Sequence, residues 1–175
     1  MNVAVDAETR ASESDHGALR LWLRLFTCKT MIEREVRERL RGRFGTTLAR
    51  FDLLAQLERT RTGMRMSELS RRLMVTGGNV TGITDQLVEE GLVVRRISSS
   101  DRRVCVVRLT PKGRRQFDAM AAEHERWIVE LVGGLSQHDR DALYRLLGTL
   151  KGAVGRAVAR DAPVSAIASS RGGAE

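Results

Sequence analysis

The sequence predicts a mainly α-helical fold with one small β-hairpin. Three observations support this class. Apolar residues recur at steps of three and four over most of the chain, which is the period of an amphipathic helix. Between Leu92 and Val107 the pattern changes to two short runs rich in β-branched residues. The chain has only 2 prolines in 175 residues, which argues against a disordered polymer and for a folded chain.

Composition limits the class of protein further. A length of 175 residues suits one domain, and 42% hydrophobic with 30% charged residues predicts a folded chain. Arginines interrupt every apolar stretch before it reaches the roughly 20 residues of a membrane-spanning helix. No secretion signal is recognisable, so we expect a cytoplasmic protein with no membrane partner. Cys28 and Cys105 are too few for a disulfide framework, and we expect reduced, mostly packed thiols.

A long first helix is predicted from His16 to Leu40. Its apolar stripe consists of Leu21, Leu25, Cys28, Ile32, Val36 and Leu40. Because Trp22, Phe26 and Met31 widen the stripe, one neighbouring element cannot cover it, and we expect part of this surface to meet a second chain. After a break at Gly42 and Gly45, the pattern predicts a short helix from Ala49 to Leu57 and a brief extended piece from Met64 to Met66.

Two short helices joined by a tight break follow. Ser67 is predicted to cap the first of them, from Glu68 to Leu73. After a break from Val75 to Gly78, apolar residues repeat at helical spacing until Gly91, which we expect to end the second helix. This arrangement is a helix-turn-helix.

The hairpin comes next, with strands predicted from Leu92 to Val94 and from Val104 to Val107 and a polar, basic loop between them. Thr110 and Pro111 predict the start of a helix, with the hydroxyl as cap. That helix is expected to run to Leu131. After Gly133 and Gly134, a capping box from Ser136 to Asp139 predicts a last helix that extends at least to Val154.

The excess positive charge indicates a polyanionic partner. The formal net charge is +8 at pH 7, and residues 58–115 hold 13 basic against 6 acidic residues, a difference of +7. Nearly all of the excess therefore falls on the helix-turn-helix and hairpin, where phosphate neutralisation requires it. A basic face that is merely solvated, or that binds DNA without sequence preference, is the alternative interpretation.

The start of the second short helix has the composition of a base-reading segment. Small residues there let the helix approach DNA closely, Asn79 is suited to an adenine edge, and the hydroxyls of Thr76 and Thr81 suit phosphates or bases. Gly77 and Gly82 also match the glycine spacing of a nucleotide-binding loop. Ile83 stands where that motif requires lysine, which disfavours this alternative.

The hairpin tip predicts a wing. Arg102 and Arg103 are suited to a narrow minor groove, with Asp101 as an orienting partner; an ordinary exposed turn is the alternative. The full set of predicted DNA-contacting residues is Ser67, Thr76, Gly77, Gly78, Asn79, Thr81, Gly82, Arg95, Ser99, Asp101, Arg102 and Arg103.

The segment from Met66 to Arg114 resembles the winged helix-turn-helix of MarR-family transcriptional regulators. The resemblance rests on Ser67–Leu73, Gly78–Thr81, Asp85–Val93, Asp101–Arg103 and Leu109–Gly113. It implies a homodimer on double-stranded DNA with a near-palindromic operator, regulated by a small aromatic or anionic ligand. It also implies one domain over residues 17–158, with dimerisation helices at 17–45 and 115–158 around a winged helix-turn-helix at 49–114. Residues 1–16 and 159–175 are expected to be flexible.

An effector site and two competing functions complete the expectations. We expect a repressor released by an aromatic acid or its CoA thioester. Such a ligand requires an apolar slot and one fixed cation, and the candidate residues are chosen to supply them. The candidate residues are Arg20, Arg24, Cys28, Met31, Phe44 and Phe51, with packing as the alternative for the apolar ones. The competing functions are a redox switch through Cys28 and a non-specific architectural DNA-binding protein. The sequence indicates no enzyme, metal site or cofactor.

Overall fold

The computed structural model describes residues 16–60, 62–73, 77–97 and 105–160. Within these ranges the elements are α1 (Gly17–Phe44), α2 (Leu48–Glu58), β1 (Met64–Arg65), α3 (Met66–Leu73), α4 (Gly77–Glu89), β2 (Val93–Ile97), β3 (Cys105–Leu109), α5 (Pro111–Val132) and α6 (Gln137–Arg160). The predicted class, mainly helical with a small antiparallel sheet, is confirmed. The sequence predicted one domain, and the chain's internal contacts divide it into two compact units, with the boundary between Val129 and Glu130.

The core of the first unit lies where the C-terminal half of α1 meets α2, α3, α4, the sheet and α5. Its buried side chains are Val36, Leu40, Phe51, Leu53, Leu54, Leu57, Met64, Leu69, Val80, Leu87, Leu92, Val93, Val107, Met120 and Trp127. Within the apolar stripe of α1, Val36 and Leu40 are buried in this core and the partly buried Ile32 packs against it. Trp22, Phe26 and Met31 remain 57%, 50% and 59% exposed, as expected of a surface that the described part of this chain does not cover.

Several helix boundaries differ from the prediction; α4, for example, begins at Gly77, inside the predicted break. Gly42 does not end α1, which continues to Phe44 and ends where Gly45 adopts a left-handed conformation (φ 59°). Ser67 is not the residue before a helix, because α3 begins at Met66 and places Ser67 in its first turn. The reason is that β1 leads into α3 with no residue between them, so no loop position is left for a cap.

The sheet has three antiparallel strands in the order β1-β3-β2. The predicted hairpin is confirmed as β2 and β3, with Arg95 opposite Val107. The extended piece at Met64 was predicted without a partner, and the structure pairs it with Val107 on β3. Residues 98–104, which include the predicted wing tip, lie outside the described residues.

The turn between α4 and β2 is held by the start of α5. Gly91 adopts φ 68°, and the backbone N–H of Leu92 donates to the carbonyl of Leu87 at 2.9 Å, which ends the helix as predicted. The hydroxyl of Thr110 donates to the carbonyl of Gly91 at 2.7 Å and accepts from the N–H of Gly113 at 2.9 Å. A Cβ on Gly113 would lie 1.9 Å from the carbonyl oxygen of Leu92, so the two backbones touch here.

The second unit contains the end of α5 and all of α6. Ser136 caps α6 as predicted, since its hydroxyl accepts from the N–H of Asp139 at 3.1 Å. No residue of α6 is buried, and Leu146 and Val158 are 64% and 65% exposed. The helix extends through Arg160, two residues past the boundary expected at 158.

Replacing Gly113 with alanine is expected to lower the free energy of unfolding by about 2–3 kcal/mol, because the new methyl group must displace the Leu92 backbone. Urea unfolding followed by circular dichroism measures the change. Gly42→Ala is the matched control, since its Cβ meets nothing within 4 Å and it should raise stability by about 0.5–1 kcal/mol. Equal changes in the free energy of unfolding for the two substitutions would contradict the close approach of Gly113 to the Leu92 backbone.

Candidate DNA-binding surface

Helix α4 has one buried face and one open face. Val80, Thr84 and Leu87 point into the core with no exposed surface. The open face carries the exposed residues Gly78, Asn79, Thr81, Gly82 and Gln86. Most of the predicted base-reading residues of this helix therefore lie on solvent-facing positions of the first two turns.

Packing within the described part of the chain does not require the glycines of this face. A Cβ added at Gly78 or Gly82 would meet nothing within 4 Å. Glycine in a helix nevertheless costs about 1 kcal/mol relative to alanine. A helix that accepts this cost twice on its exposed face is suited to a partner whose surface comes close to the helix backbone.

The nucleotide-loop alternative does not fit this geometry. The segment that begins at Gly77 is helical and comes after helix α3 in the chain, whereas the motif requires a preceding strand. The hydroxyl of Thr84, which would have to reach a metal ion, is buried and donates to the carbonyl of Val80 at 2.7 Å.

An ion pair joins the sheet to α4. The guanidinium of Arg95 on β2 lies 2.5 Å from the carboxylate of Asp85, and both side chains are partly exposed. The sequence predicted Arg95 as a DNA contact, and it did not predict this partner. The pair links the wing strand to the candidate reading helix.

A second group of polar contacts holds the C-terminal end of α4. Arg50 of α2 forms an ion pair with the carboxylate of Glu90, and the ammonium of Lys112 donates to the backbone carbonyl of Glu90 at 2.8 Å. Arg114 of α5 binds Glu58 at the end of α2 at 2.7 Å. These contacts were not predicted, because their partners lie 22 to 56 residues apart.

The other predicted DNA contacts have varied placements. Ser67 is exposed on α3, Gly77 begins α4, and Arg95 is exposed on β2. Outside the described residues lie Thr76, Ser99, Asp101, Arg102 and Arg103.

The six candidate effector residues do not form one site within a chain. The exposed members Arg20, Arg24, Cys28 and Met31 lie on the N-terminal half of α1. Phe44 and Phe51 belong to the packed half, where Phe44 lies 6.3 Å from Trp127 and Phe51 lies 5.6 Å from Phe117, centroid to centroid. At 1.5 Å per residue, Phe44 lies about 30 Å along α1 from Arg24.

The expectation of packed thiols is wrong for this chain. Cys28 is exposed because the N-terminal half of α1 has little covering it, and Cys105 is exposed at the start of β3. Among the described residues, no three histidine, cysteine or acidic side chains are grouped so as to hold a metal ion. The described helices include none that is long and apolar enough to span a bilayer.

Two titratable groups near the α1–α2–α5 core have shifted pKa values. Burial, and to a smaller extent the negative charge of Glu33, raises the pKa of Asp52 above its usual 3.8. Burial lowers the pKa of His124, whose ring lies 5.0 Å from that of Phe51. The imidazole is therefore neutral at pH 7 and serves as an aromatic packing group.

A model of the MarR family matches residues 46–105. The uncharacterised HTH-type transcriptional regulator YkoM of Bacillus subtilis is 31% identical over 128 residues, which are 73% of this chain and 80% of that protein. A crystal structure of a MarR family transcriptional regulator from Silicibacter pomeroyi is 32% identical, covers 81% of this chain and 98% of that chain, and superposes with a TM-score of 0.65. The chain belongs to the MarR family. As a member of that family, it is a transcriptional regulator.

Other proteins similar to this chain differ in their named roles. The transcriptional repressor YetL of B. subtilis is 28% identical over 85% of this chain and 89% of its own length. The transcriptional activatory protein BadR of Rhodopseudomonas palustris is 29% identical over 82% and 88%, respectively. The structure of CouR from Rhodococcus jostii bound to p-coumaroyl-CoA shares the fold, with 22% identity, a TM-score of 0.64, and coverage of 74% of this chain and 90% of that one.

Asp52→Asn is expected to stabilise the protein at pH 7 by up to about 1 kcal/mol, because it removes a half-buried charge beside Glu33. A raised carboxyl pKa means that the native state holds the proton more tightly than the unfolded state. The wild type therefore loses stability as pH rises from 3.8 through the native pKa, and the advantage of the variant disappears at lower pH. Urea unfolding at pH 7 and near pH 3.5 checks this, with the exposed Asp118→Asn as control. An advantage of equal size at both pH values would contradict it.

Proposed function

We propose that this MarR-family protein is a sequence-specific DNA-binding regulator that places α4 in the major groove of double-stranded DNA. The observation that carries the proposal is the open face of α4, where Gly78 and Gly82 leave the backbone uncovered between polar side chains. The major groove of DNA is a partner that requires so close an approach of the helix backbone.

Within that arrangement, the exposed amide of Asn79 reads a base edge, and the hydroxyl of Thr81 binds a base or a phosphate. Arg95, oriented by Asp85, lies beside the same face. Thr76 and the tip residues Ser99, Asp101, Arg102 and Arg103 complete the proposed contacts on the strength of the sequence alone. The protein acts by binding and not by catalysis, and it works in the cytoplasm, where chromosomal DNA is present.

Dimer formation is part of the proposal, since MarR-family proteins bind DNA as dimers. Exposed apolar side chains on the N-terminal half of α1 include Trp22 and Phe26, whose ring centroids lie 5.8 Å apart. The exposed apolar residues of α6, among them Leu146 and Val158, are a second such surface. Burying surfaces of this kind between two chains supplies the energy for a homodimer on a near-palindromic operator.

The effector proposal is a small aromatic acid or its CoA thioester that weakens DNA binding. Arg20 and Arg24 are one helical turn apart on α1 and border an open hollow with Gly17 and Leu21. They are the cations that would bind the carboxylate or phosphate of such a ligand. The likeness in fold to CouR, whose structure holds p-coumaroyl-CoA, supports this class of ligand. Repression is the proposed direction, following YetL, whereas BadR is named as an activator.

Gly82→Leu is expected to weaken binding to the specific duplex at least tenfold without lowering the free energy of unfolding, since the side chain enters open space on the DNA-facing side. Fluorescence anisotropy measures binding on DNA from upstream of the protein's own gene and on scrambled duplex, and sedimentation counts the chains per duplex. Gly42→Leu on α1, another helical glycine with an open Cβ position, is the matched control.

The same assay separates the two DNA-binding alternatives. A specific regulator binds one native duplex about 10³-fold or more tightly than scrambled DNA. Equal affinity for every native and scrambled duplex tried would favour the architectural alternative. Unchanged DNA binding by Gly82→Leu would contradict the proposed contact between the open face of α4 and DNA.

An aromatic acid or acyl-CoA that binds is expected to raise the melting temperature and to weaken operator binding in parallel. Arg20→Ala/Arg24→Ala should abolish both effects while leaving DNA binding without ligand unchanged. Arg34→Ala/Arg37→Ala, at exposed positions farther along α1, is the control. A ligand response that survives the loss of both Arg20 and Arg24 would place the effector elsewhere.

A further inference from the structure

The outer face of the three-stranded sheet carries a patch of arginines set among valines. The strand register places Arg65, Val106 and Arg96 side by side across β1, β3 and β2, and Val94 opposite Arg108. Because side chains alternate along a strand, these five residues share one face. We call them the outer sheet face. All three arginines are exposed, while the opposite face contributes Met64, Val93 and Val107 to the core.

The charge of this sheet is one-sided. Its twelve residues include four arginines and no acidic residue. The fourth arginine, Arg95, lies on the opposite face and is paired with Asp85. Within the described ranges, Arg65 and Arg96 have no acidic partner, whereas Arg39, Arg50, Arg72 and Arg114 all do. Arg65 and Arg96 of the outer sheet face therefore present positive charge that no described acidic side chain neutralises.

The shape of the surface suits an extended anion. The residues Val94, Arg96, Arg108, Leu109, Thr110 and Pro111 border an open groove of ≈ 400 Å³. At one side of the sheet, a Cβ on Gly63 would lie 2.4 Å from Cγ of Arg108, so the stem of that arginine rests directly on the glycine. Arg96 and Arg108 thus border an open groove, and guanidinium groups placed in this way suit phosphate oxygens.

We propose that the outer sheet face binds the sugar-phosphate backbone of DNA outside the base pairs that α4 reads. The opposite face of the sheet contacts α4 through the ion pair of Arg95 with Asp85. The outer sheet face is therefore turned away from α4, and in this proposal it contacts only the DNA backbone that flanks the base pairs read by α4. Arginine–phosphate contacts position a protein on DNA and add salt-dependent affinity without sequence preference. The inference rests on the proposed function, and it adds a contact that lengthens the bound duplex.

The test compares Arg65→Gln/Arg96→Gln with the wild type on two duplexes. One duplex ends at the operator, and the other extends beyond it by one helical turn, about 10 base pairs, at each end. The wild type should bind the longer duplex several-fold more tightly, and the variant should lose this gain. On the longer duplex, the slope of log K against log salt should fall by about 1 for each arginine removed. On the shorter duplex the two proteins should bind alike.

Arg34→Gln/Arg37→Gln removes the same net charge from exposed positions on α1 and is the matched control, expected to keep the gain with length. A sheet variant that keeps the gain, or that weakens binding equally on both duplexes, would overturn the inference while specific binding stands. So would a variant that binds DNA normally but loses its thermal response to an aromatic acid, since the face would then be a small-ligand site. A wild type without specific binding to any duplex would instead refute the proposed function, and this inference with it.

Discussion

The geometry of the candidate DNA-binding surface depends on the backbone contact between Leu92 and the first turn of α5. The absence of a side chain at Gly113 lets α5 touch the Leu92 carbonyl, and Thr110 holds the adjacent Gly91 carbonyl with its hydroxyl. This contact fixes the point at which α4 ends, β2 begins and α5 starts. The direction of the candidate reading helix and the direction of the strands are therefore set together.

Helix α4 satisfies two opposed requirements. Its buried face, with Val80 and Leu87, anchors it in the core, while its open face carries glycines that weaken a helix by about 1 kcal/mol each. Packing of the buried face offsets that loss, and the ion pair of Arg50 with Glu90 lies just past the C-terminal end of the helix. A helix anchored by its buried face tolerates glycines on its exposed face. A close contact with DNA requires such an exposed face.

The charged residues of the first unit include paired ones that link two elements and arginines on the outer sheet face that have no described acidic partner. Pairs such as Asp85 with Arg95 and Glu58 with Arg114 link one element to another, and exposed pairs of this kind serve position more than stability. The arginines without an acidic partner in the described structure, Arg65 and Arg96, point outward from the sheet. Two of the basic residues behind the net charge of +8 thus lie together on one face of the sheet.

The sequence alone determined the elements whose signals are local. The stripes of α1 and α5, the caps at Thr110 and Ser136, and the stop at Gly91 could all be predicted, because each depends on residues within a few positions of one another. The polar face of α4 was found in the same way, although its role remains a proposal. Only the tertiary structure decided that β1 pairs with β3, that Asp85 holds Arg95, and that Cys28 is exposed. These features depend on residues far apart in the chain, or on whether another element covers a surface, and no local pattern records either.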